Sequence, residues 1–83
     1  MPYVKQEHRP NLDIVVQTMA NVGISVNGDL NYVLFAFCKR HINPSNNNYK
    51  NYLGELNKAA EEIRRKLLAR YEDRKIIENG DVD

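Results

Sequence analysis

The sequence has a single cysteine, no long hydrophobic run and almost no net charge, and each shortage excludes a class of protein. Cys38 cannot form a disulfide within the chain, whereas small secreted domains usually depend on several. The longest unbroken apolar run, 32–38, has seven residues, whereas a membrane span needs about 20. Residues 1–9 contain no apolar segment typical of a signal peptide. We therefore expect a soluble, cytoplasmic protein.

The charge and the length of the chain limit what it can do alone. Its 12 basic and 11 acidic residues leave a net charge of +1, so no field of the whole molecule attracts nucleic acid or a membrane. The chain has 83 residues, which suffice for one domain. In a domain this small, apolar burial barely exceeds the conformational entropy lost on folding. A thin margin of this kind favours self-association.

The first predicted helix covers 11–22. Pro10 and Asn11 are residue types preferred at a helix start, and Asp13 complements the positive end of the helix dipole. Gly23 suits the left-handed position that ends a helix. Apolar residues recur between them at helical spacing, namely Leu12, Val15, Val16, Met19 and Val22. Residues 1–10 are left as an extended N-terminal arm.

Asn27-Gly28 is typical of a β-hairpin turn and so offers a second interpretation of the next segment. A hairpin with that turn would set apolar residues opposite polar ones on both faces. In a helix over 29–41, by contrast, one stripe is formed by Leu30, Val33, Leu34, Phe37, Cys38 and His41. Tyr32 and Phe35 lie outside that stripe, so the helix is apolar around most of its circumference. We predict a helix here, with neighbours on more than one side.

The third predicted helix, 46–70, is the longest. Ser45 or Asn46 can cap its start. Its apolar residues recur at three and four residues for more than five turns, at Tyr49, Tyr52, Leu53, Leu56, Ala59, Ala60, Ile63, Leu67 and Tyr71. Gly54 lowers helix stability by about 1 kcal/mol relative to alanine, which is consistent with a close helix crossing at this position.

The C-terminal tail, 71–83, is less clearly patterned. Asn79-Gly80 is a helix stop or a turn, and we expect an irregular or helical tail that docks Ile76, Ile77 and Val82. Two end points for the third helix stay open, near Ala69 or at Glu78. The fold class predicted is all-α: a single domain, 1–83, built as a small three-helix bundle with a long third helix, an extended N-terminal segment and an irregular C-terminal tail.

Several short motifs are distributed along the chain. They are Met-Pro-Tyr at 1–3 with Arg9-Pro10, Gly-Asp-Leu-Asn-Tyr at 28–32, Gly-Glu-Leu at 54–56, Tyr-Glu-Asp-Arg-Lys-Ile at 71–76 and Glu-Asn-Gly-Asp-Val at 78–82. Together they resemble a family of short, uncharacterised proteins of bacterial and phage-related genomes. That family commonly has a proline where this chain has Arg70. The resemblance implies no activity, cofactor or catalytic residue.

Cys38 and His41 are the first candidates for chemistry. Their spacing of three residues lets both side chains project from one helical face toward a metal ion, with His8 or Asp29 as a further ligand. Two ligands are too few for a site. We favour Cys38 as a small buried hydrophobe and His41 as a residue that complements the C-terminal end of the helix dipole. No metal or other cofactor is predicted.

The start of the second helix, Asn27-Gly28-Asp29, offers backbone N–H groups to an anion. The Asp29 carboxylate would compete with that anion, so we favour a structural cap. A Gly-rich loop followed by Lys-Ser or Lys-Thr is absent from the sequence, which excludes a P-loop.

The densest basic stretch of the chain consists of Arg64, Arg65, Lys66, Arg70, Arg74 and Lys75. It is a weak candidate for nucleic-acid binding, with tyrosines available elsewhere for stacking. Acidic residues interrupt it, and we predict ion pairs from Glu61 to Arg65 and from Glu62 to Lys66. We favour a solvated, salt-bridged helix face.

The function predicted is that of a non-catalytic helical protein that acts through self-association, as a homodimer or higher oligomer, and through an unidentified protein partner. Candidate interface residues are Tyr32, Phe35, Tyr49, Tyr52 and Leu56. Two alternatives stay open: a nucleic-acid-binding accessory protein that uses the basic stretch, and a metal or ligand site, including that of an enzyme, assembled between subunits.

Overall fold

The computed structural model describes residues 4–80, which form helices joined by short turns, with no strand among them. The helices are α1 (Arg9–Val22), α2 (Asp29–His41), α3 (Asn46–Ile63) and α4 (Ala69–Asn79). A 3₁₀ turn, Gln6–His8, precedes α1, and a π-helical turn, Arg64–Leu68, joins α3 to α4.

The backbone keeps right-handed helical angles on both sides of the π turn, at Ile63, Arg64, Leu68 and Ala69. α3, the π turn and α4 therefore form one continuous helix, 46–79, which we call the long helix. The predicted all-α class, with three helices and a long third helix, is confirmed.

Of the two end points left open for the third helix, the structure shows the later one, close to Glu78, and this corrects the irregular tail predicted for 71–83 as far as Asn79. The chain stays helical to Asn79 and leaves the helix at Gly80, whose φ is +82°. Arg70 keeps its backbone N–H and continues the helix, as a proline at this position could not. Ile76 and Ile77 remain exposed, by 46% and 82%. The predicted docking of Val82 lies outside the described residues.

The chain divides into two compact units, Met1–Arg40 and His41–Asp83. In the first unit α1 begins at Arg9, two residues before the predicted start. The helix starts early because the preceding 3₁₀ turn already gives the chain a helical bend before Pro10 and Asn11. In that turn the N–H of Arg9 donates to Gln6 O. The described part of the predicted extended arm is thus partly helical.

Two predicted signals at the junction of α1 and α2 are confirmed. Gly23 ends α1 in the left-handed conformation, with φ +80°, and its N–H donates to the carbonyls of Met19 and Ala20 at 3.1 Å. No hairpin forms at Asn27-Gly28, because the chain enters α2 at Asp29. The Asp29 carboxylate accepts a hydrogen bond from the Ser25 N–H at 3.0 Å and closes the turn.

Little of the first unit is buried. Among residues 4–80, Ala36 on α2 is the one buried apolar residue, 9% exposed. Half-buried residues, including Met19, Ile24, Leu30, Val33 and Leu34, lie on α1, on α2 and in the turn that joins them. The predicted neighbours around α2 are not present on its outer faces, since Tyr32 and Phe35 are 62% and 65% exposed.

In the second unit, Ser45 caps the long helix. The sequence offers Ser45 or Asn46 for this position. The Ser45 hydroxyl accepts a hydrogen bond from the Asn48 N–H at 2.9 Å. The Asn48 side chain in turn donates to the Asn43 carbonyl at 3.0 Å. These two bonds hold the connection 42–45 against the first turn of the helix. Gly54 is in ordinary helical conformation, and apart from its chain neighbours and the backbone of its own helix no described atom lies within 4 Å of the Cβ that a larger residue would add.

Candidate association surface

The long helix carries an apolar stripe along one face. It consists of Tyr49, Tyr52, Leu53, Leu56, Ala59, Ala60, Ile63, Leu67, Leu68 and Tyr71. Its large side chains stay accessible: Leu53, Ile63 and Leu67 are 57%, 54% and 64% exposed. Tyr52, Leu56 and Ala60 are half-buried. A contiguous exposed stripe of this kind is typical of an interaction surface.

The π turn determines how the stripe continues beyond Ile63. In this turn the Ala69 N–H bonds to Arg64 O, five residues back. A π turn holds one residue more than an α turn. The residue five positions after Ile63, Leu68, therefore returns toward the face of Ile63, and Leu67 and Tyr71 both lie on one side of Leu68, close to the same face.

Leu68 is the stripe residue that the sequence missed. At α-helical spacing, five residues advance the helix by about 140° from Ile63, which places Leu68 outside the stripe. Arg64–Leu68 contains no glycine or proline, so no residue type in it indicates a π turn. Periodicity alone could not have found this residue.

The predicted interface residues fall on two helices. Tyr49, Tyr52 and Leu56 lie on α3 and belong to the apolar stripe. Tyr32 and Phe35 lie on α2, where the Tyr32 hydroxyl accepts a hydrogen bond from Arg40 Nη2 at 3.1 Å. The structure thus places three of the five in one surface on the long helix and the other two on a separate exposed face of the first unit.

The basic residues of the long helix lie beside the stripe and are partly neutralised. The predicted ion pair of Glu62 with Lys66 is confirmed, with 3.0 Å between Lys66 Nζ and Glu62 Oε2. Glu61 pairs with Arg64 at 2.8 Å and not with Arg65, because an i, i+3 pair is also within reach on a helix. Lys75 pairs with Glu78 at 3.3 Å and lies 5.6 Å from the centroid of the Tyr71 ring.

Three of these basic residues share one groove. Lys66, Arg70 and Arg74 are spaced four residues apart and line a shallow depression together with Leu67 and Asp73. The spacing gathers three positive charges along one edge of the helix, of which Asp73 offsets one and Glu62, paired with Lys66, offsets another. Arg65, the remaining member of the predicted basic set, is exposed.

The predicted metal candidates are not brought into a cluster. Cys38 is a free, half-buried thiol on α2, less buried than predicted. His41 is the last residue of α2, as the dipole argument requires, and it lines a groove with Asn48, Tyr52 and Glu55. His8 lines a different groove with Lys5 and Leu12. Within residues 4–80, no three His, Cys, Asp or Glu side chains lie close enough to hold one metal ion.

The fold and surface define a class: a small all-α protein with an exposed apolar stripe on a long helix. The chain belongs to the DUF6899 family, a domain of unknown function, whose profile matches residues 1–82. This agrees with the resemblance to an uncharacterised family. Among curated proteins and among solved structures, none matches this chain. None of the helices in residues 4–80 has the length and apolar character needed to cross a membrane.

Proposed function

We propose that this protein acts by association, with itself through the apolar stripe of the long helix and with a protein partner through an exposed face of α2. The observation that carries the proposal is the exposure of Leu53, Ile63, Leu67 and Tyr71, each by half or more, along one helical face. Burying the exposed half of one such side chain contributes about 1 kcal/mol. A partner that covers several of them together gains enough to offset the entropy of association.

The exposed face of α2 is the natural second contact of such a protein. Tyr32 and Phe35 present two aromatic rings there, and aromatic side chains are enriched at protein interfaces. In this proposal the stripe joins copies of the chain, and the face with Tyr32 and Phe35 meets the further protein partner. No catalytic role is part of the proposal.

The proposal also includes a cellular setting. The single free thiol, Cys38, suits a reducing compartment and supports a cytoplasmic location. The motifs at 28–32 and 71–76 support an origin in bacterial or phage-related genomes.

Native mass spectrometry at about 10 μM tests the association. We expect a homo-oligomer built from 9.7 kDa chains. Ile63→Asp places a charge in the stripe and should convert the oligomer to monomer. Ile77→Asp makes the same change on the same helix, at a residue 82% exposed and outside the stripe, and should leave the oligomer intact. A folded wild-type monomer at this concentration would contradict the proposal.

A second candidate function is supported by the groove of Lys66, Arg70 and Arg74, which could follow a nucleic-acid backbone. Three phosphate contacts predict an affinity that falls by roughly 40-fold between about 50 and about 200 mM salt. Fluorescence anisotropy with single- and double-stranded oligonucleotides measures it. Arg70→Glu should abolish binding, whereas Lys58→Glu, on α3, should change it little. Binding that is absent at low salt would exclude this candidate.

A further inference from the structure

We propose that the apolar stripe is covered by the stripe of a second copy of the chain, with the two long helices antiparallel and a two-fold axis near Ala60. The inference rests on the proposed self-association and adds to it the occupant of the surface and its direction. Three features support it: the symmetry of the stripe about its middle, the small residues at that middle, and the distribution of charge along the helix.

The stripe is nearly symmetric about Ala60. Tyr49 lies eleven residues before Ala60 and Tyr71 eleven residues after it, while Leu53 and Leu67 lie seven residues before and after. An antiparallel pair centred there sets each Tyr49 against the partner's Tyr71 and each Leu53 against the partner's Leu67. Tyrosine then meets tyrosine and leucine meets leucine at these two positions, as a self-complementary two-fold interface requires. Tyr52 meets the partner's Leu68, and the inner residues Leu56 and Ile63 meet the partner's Arg64 and the partner's Asn57.

The side chains in the middle of the stripe are small. Ala59 and Ala60 stand between the larger Leu56 and Ile63. Alanines at a crossing let two helices approach toward the short end of the usual 8–10 Å interaxial range. The half-buried Ala60 would then lie against Ala60 of the partner subunit, with the bulkier residues packing on either side.

Charge favours the same direction by a small amount. Residues 64–75 contain six basic and two acidic residues. Arg64, Lys66 and Lys75 are paired with Glu61, Glu62 and Glu78, which leaves Arg65, Arg70 and Arg74 against Glu72 and Asp73. A parallel pair would place this segment beside its own copy, about 10 Å away, where the remaining repulsion is largely screened at physiological ionic strength. An antiparallel pair centred on Ala60 places it beside 45–56, which contains one Lys and one Glu.

The antiparallel arrangement keeps the basic segments of the two chains far apart. The midpoints of 64–75 and of its counterpart 45–56 lie 19 residues apart, so the two basic segments are about 28 Å apart along the pair. This is several times the Debye length of about 8 Å at physiological ionic strength. The opposed helix dipoles also favour this orientation, because each N-terminal end lies beside a C-terminal end.

Site-directed cross-linking tests the orientation. In a Cys38→Ser background, two single-cysteine proteins, Tyr49→Cys and Tyr71→Cys, are mixed, allowed to exchange subunits and treated with a short bismaleimide. The two positions are about 33 Å apart along one helix, far beyond the reach of the reagent. Tryptic peptides 41–50 and 71–74 report which cysteines were joined. A second mixture, Asn46→Cys with Glu72→Cys, leaves the stripe intact, and native mass spectrometry of each sample reports its subunit number.

The expected result is a dimer in which position 49 is joined to position 71, and position 46 to position 72. A dimer with 49–49 and 71–71 links, or one without the mixed links in both mixtures, overturns the antiparallel arrangement while leaving self-association standing. A folded monomer of the Cys38→Ser protein overturns both the inference and the proposed function. The two failures are therefore distinguishable.

Discussion

The Ser45 hydroxyl accepts a hydrogen bond from the Asn48 backbone N–H at 2.9 Å, and this contact determines where the long helix begins. Ser45 has extended backbone angles, φ −163° and ψ 154°, so the chain enters the helix at the next residue. The Tyr49 N–H then donates to the Ser45 carbonyl at 3.0 Å. Ser45 thus satisfies, through its hydroxyl, one of the N–H groups that a helix leaves without partners at its start, and its carbonyl accepts the first bond of the helix itself.

Replacing Ser45 by alanine should lower the free energy of unfolding by about 1 kcal/mol, because the Asn48 N–H loses its acceptor. Urea denaturation followed by circular dichroism at 222 nm measures the change. Ser45→Asp keeps a side-chain acceptor and should stay close to wild type. Equal destabilisation by both variants would show that the hydroxyl does not act as the cap.

Gly23 and Gly54 should respond to alanine in opposite directions. Gly23 has φ +80°, so Gly23→Ala should destabilise the protein by about 1 kcal/mol. Gly54 is helical and has open space at its Cβ, so Gly54→Ala should stabilise it by about 1 kcal/mol. Thermal unfolding of the two variants gives the sign of each change. Destabilisation by Gly54→Ala would instead indicate a close helix crossing at that face.

The Asp29 carboxylate should stabilise the protein in two ways, as a hydrogen-bond acceptor and through its negative charge. Its carboxylate accepts from the Ser25 N–H at 3.0 Å and lies at the N-terminus of α2. Asp29→Ala should cost about 1 kcal/mol, and Asp29→Asn, which keeps an acceptor but loses the charge, roughly half of that. Urea midpoints of the three proteins compare them. No loss in Asp29→Ala would rule out a stabilising role for the Asp29 carboxylate in this turn.

Local signals in the sequence predicted most of the fold, because they act over a few residues. Gly23 ends α1 through its own left-handed angle, Ser45 caps the long helix through a bond three residues away, and α2 begins at Asp29. The start of α1 at Arg9 differs from the prediction, and the end of the long helix at Asn79 lies one residue beyond the later of the two end points left open. The first depends on a 3₁₀ turn before Pro10, and the second on Arg70 continuing a helix that Asn79-Gly80 then ends.

The candidate surface was predictable only up to Ile63. Tyr49, Tyr52 and Leu56 follow regular α-helical spacing, so periodicity placed them on one face. Beyond Ile63 the π turn adds a residue to the turn, and every later position rotates relative to the earlier ones. The pairing of Glu61 with Arg64 was missed for a simpler reason, since i+3 and i+4 partners compete on any helix.

Leu68 distinguishes the long helix with its π turn from a regular α-helix. Because the π turn returns Leu68 to the stripe, Leu68→Ala should raise the dissociation constant of the dimer by roughly 10-fold to 100-fold, as Leu67→Ala should, since each chain loses apolar burial. Ile77→Ala, outside the stripe, should change it by less than about twofold. Analytical ultracentrifugation over a concentration series measures all three. If Leu68→Ala behaves like Ile77→Ala while Leu67→Ala weakens the dimer, the helix passes 64–68 without a π turn in solution.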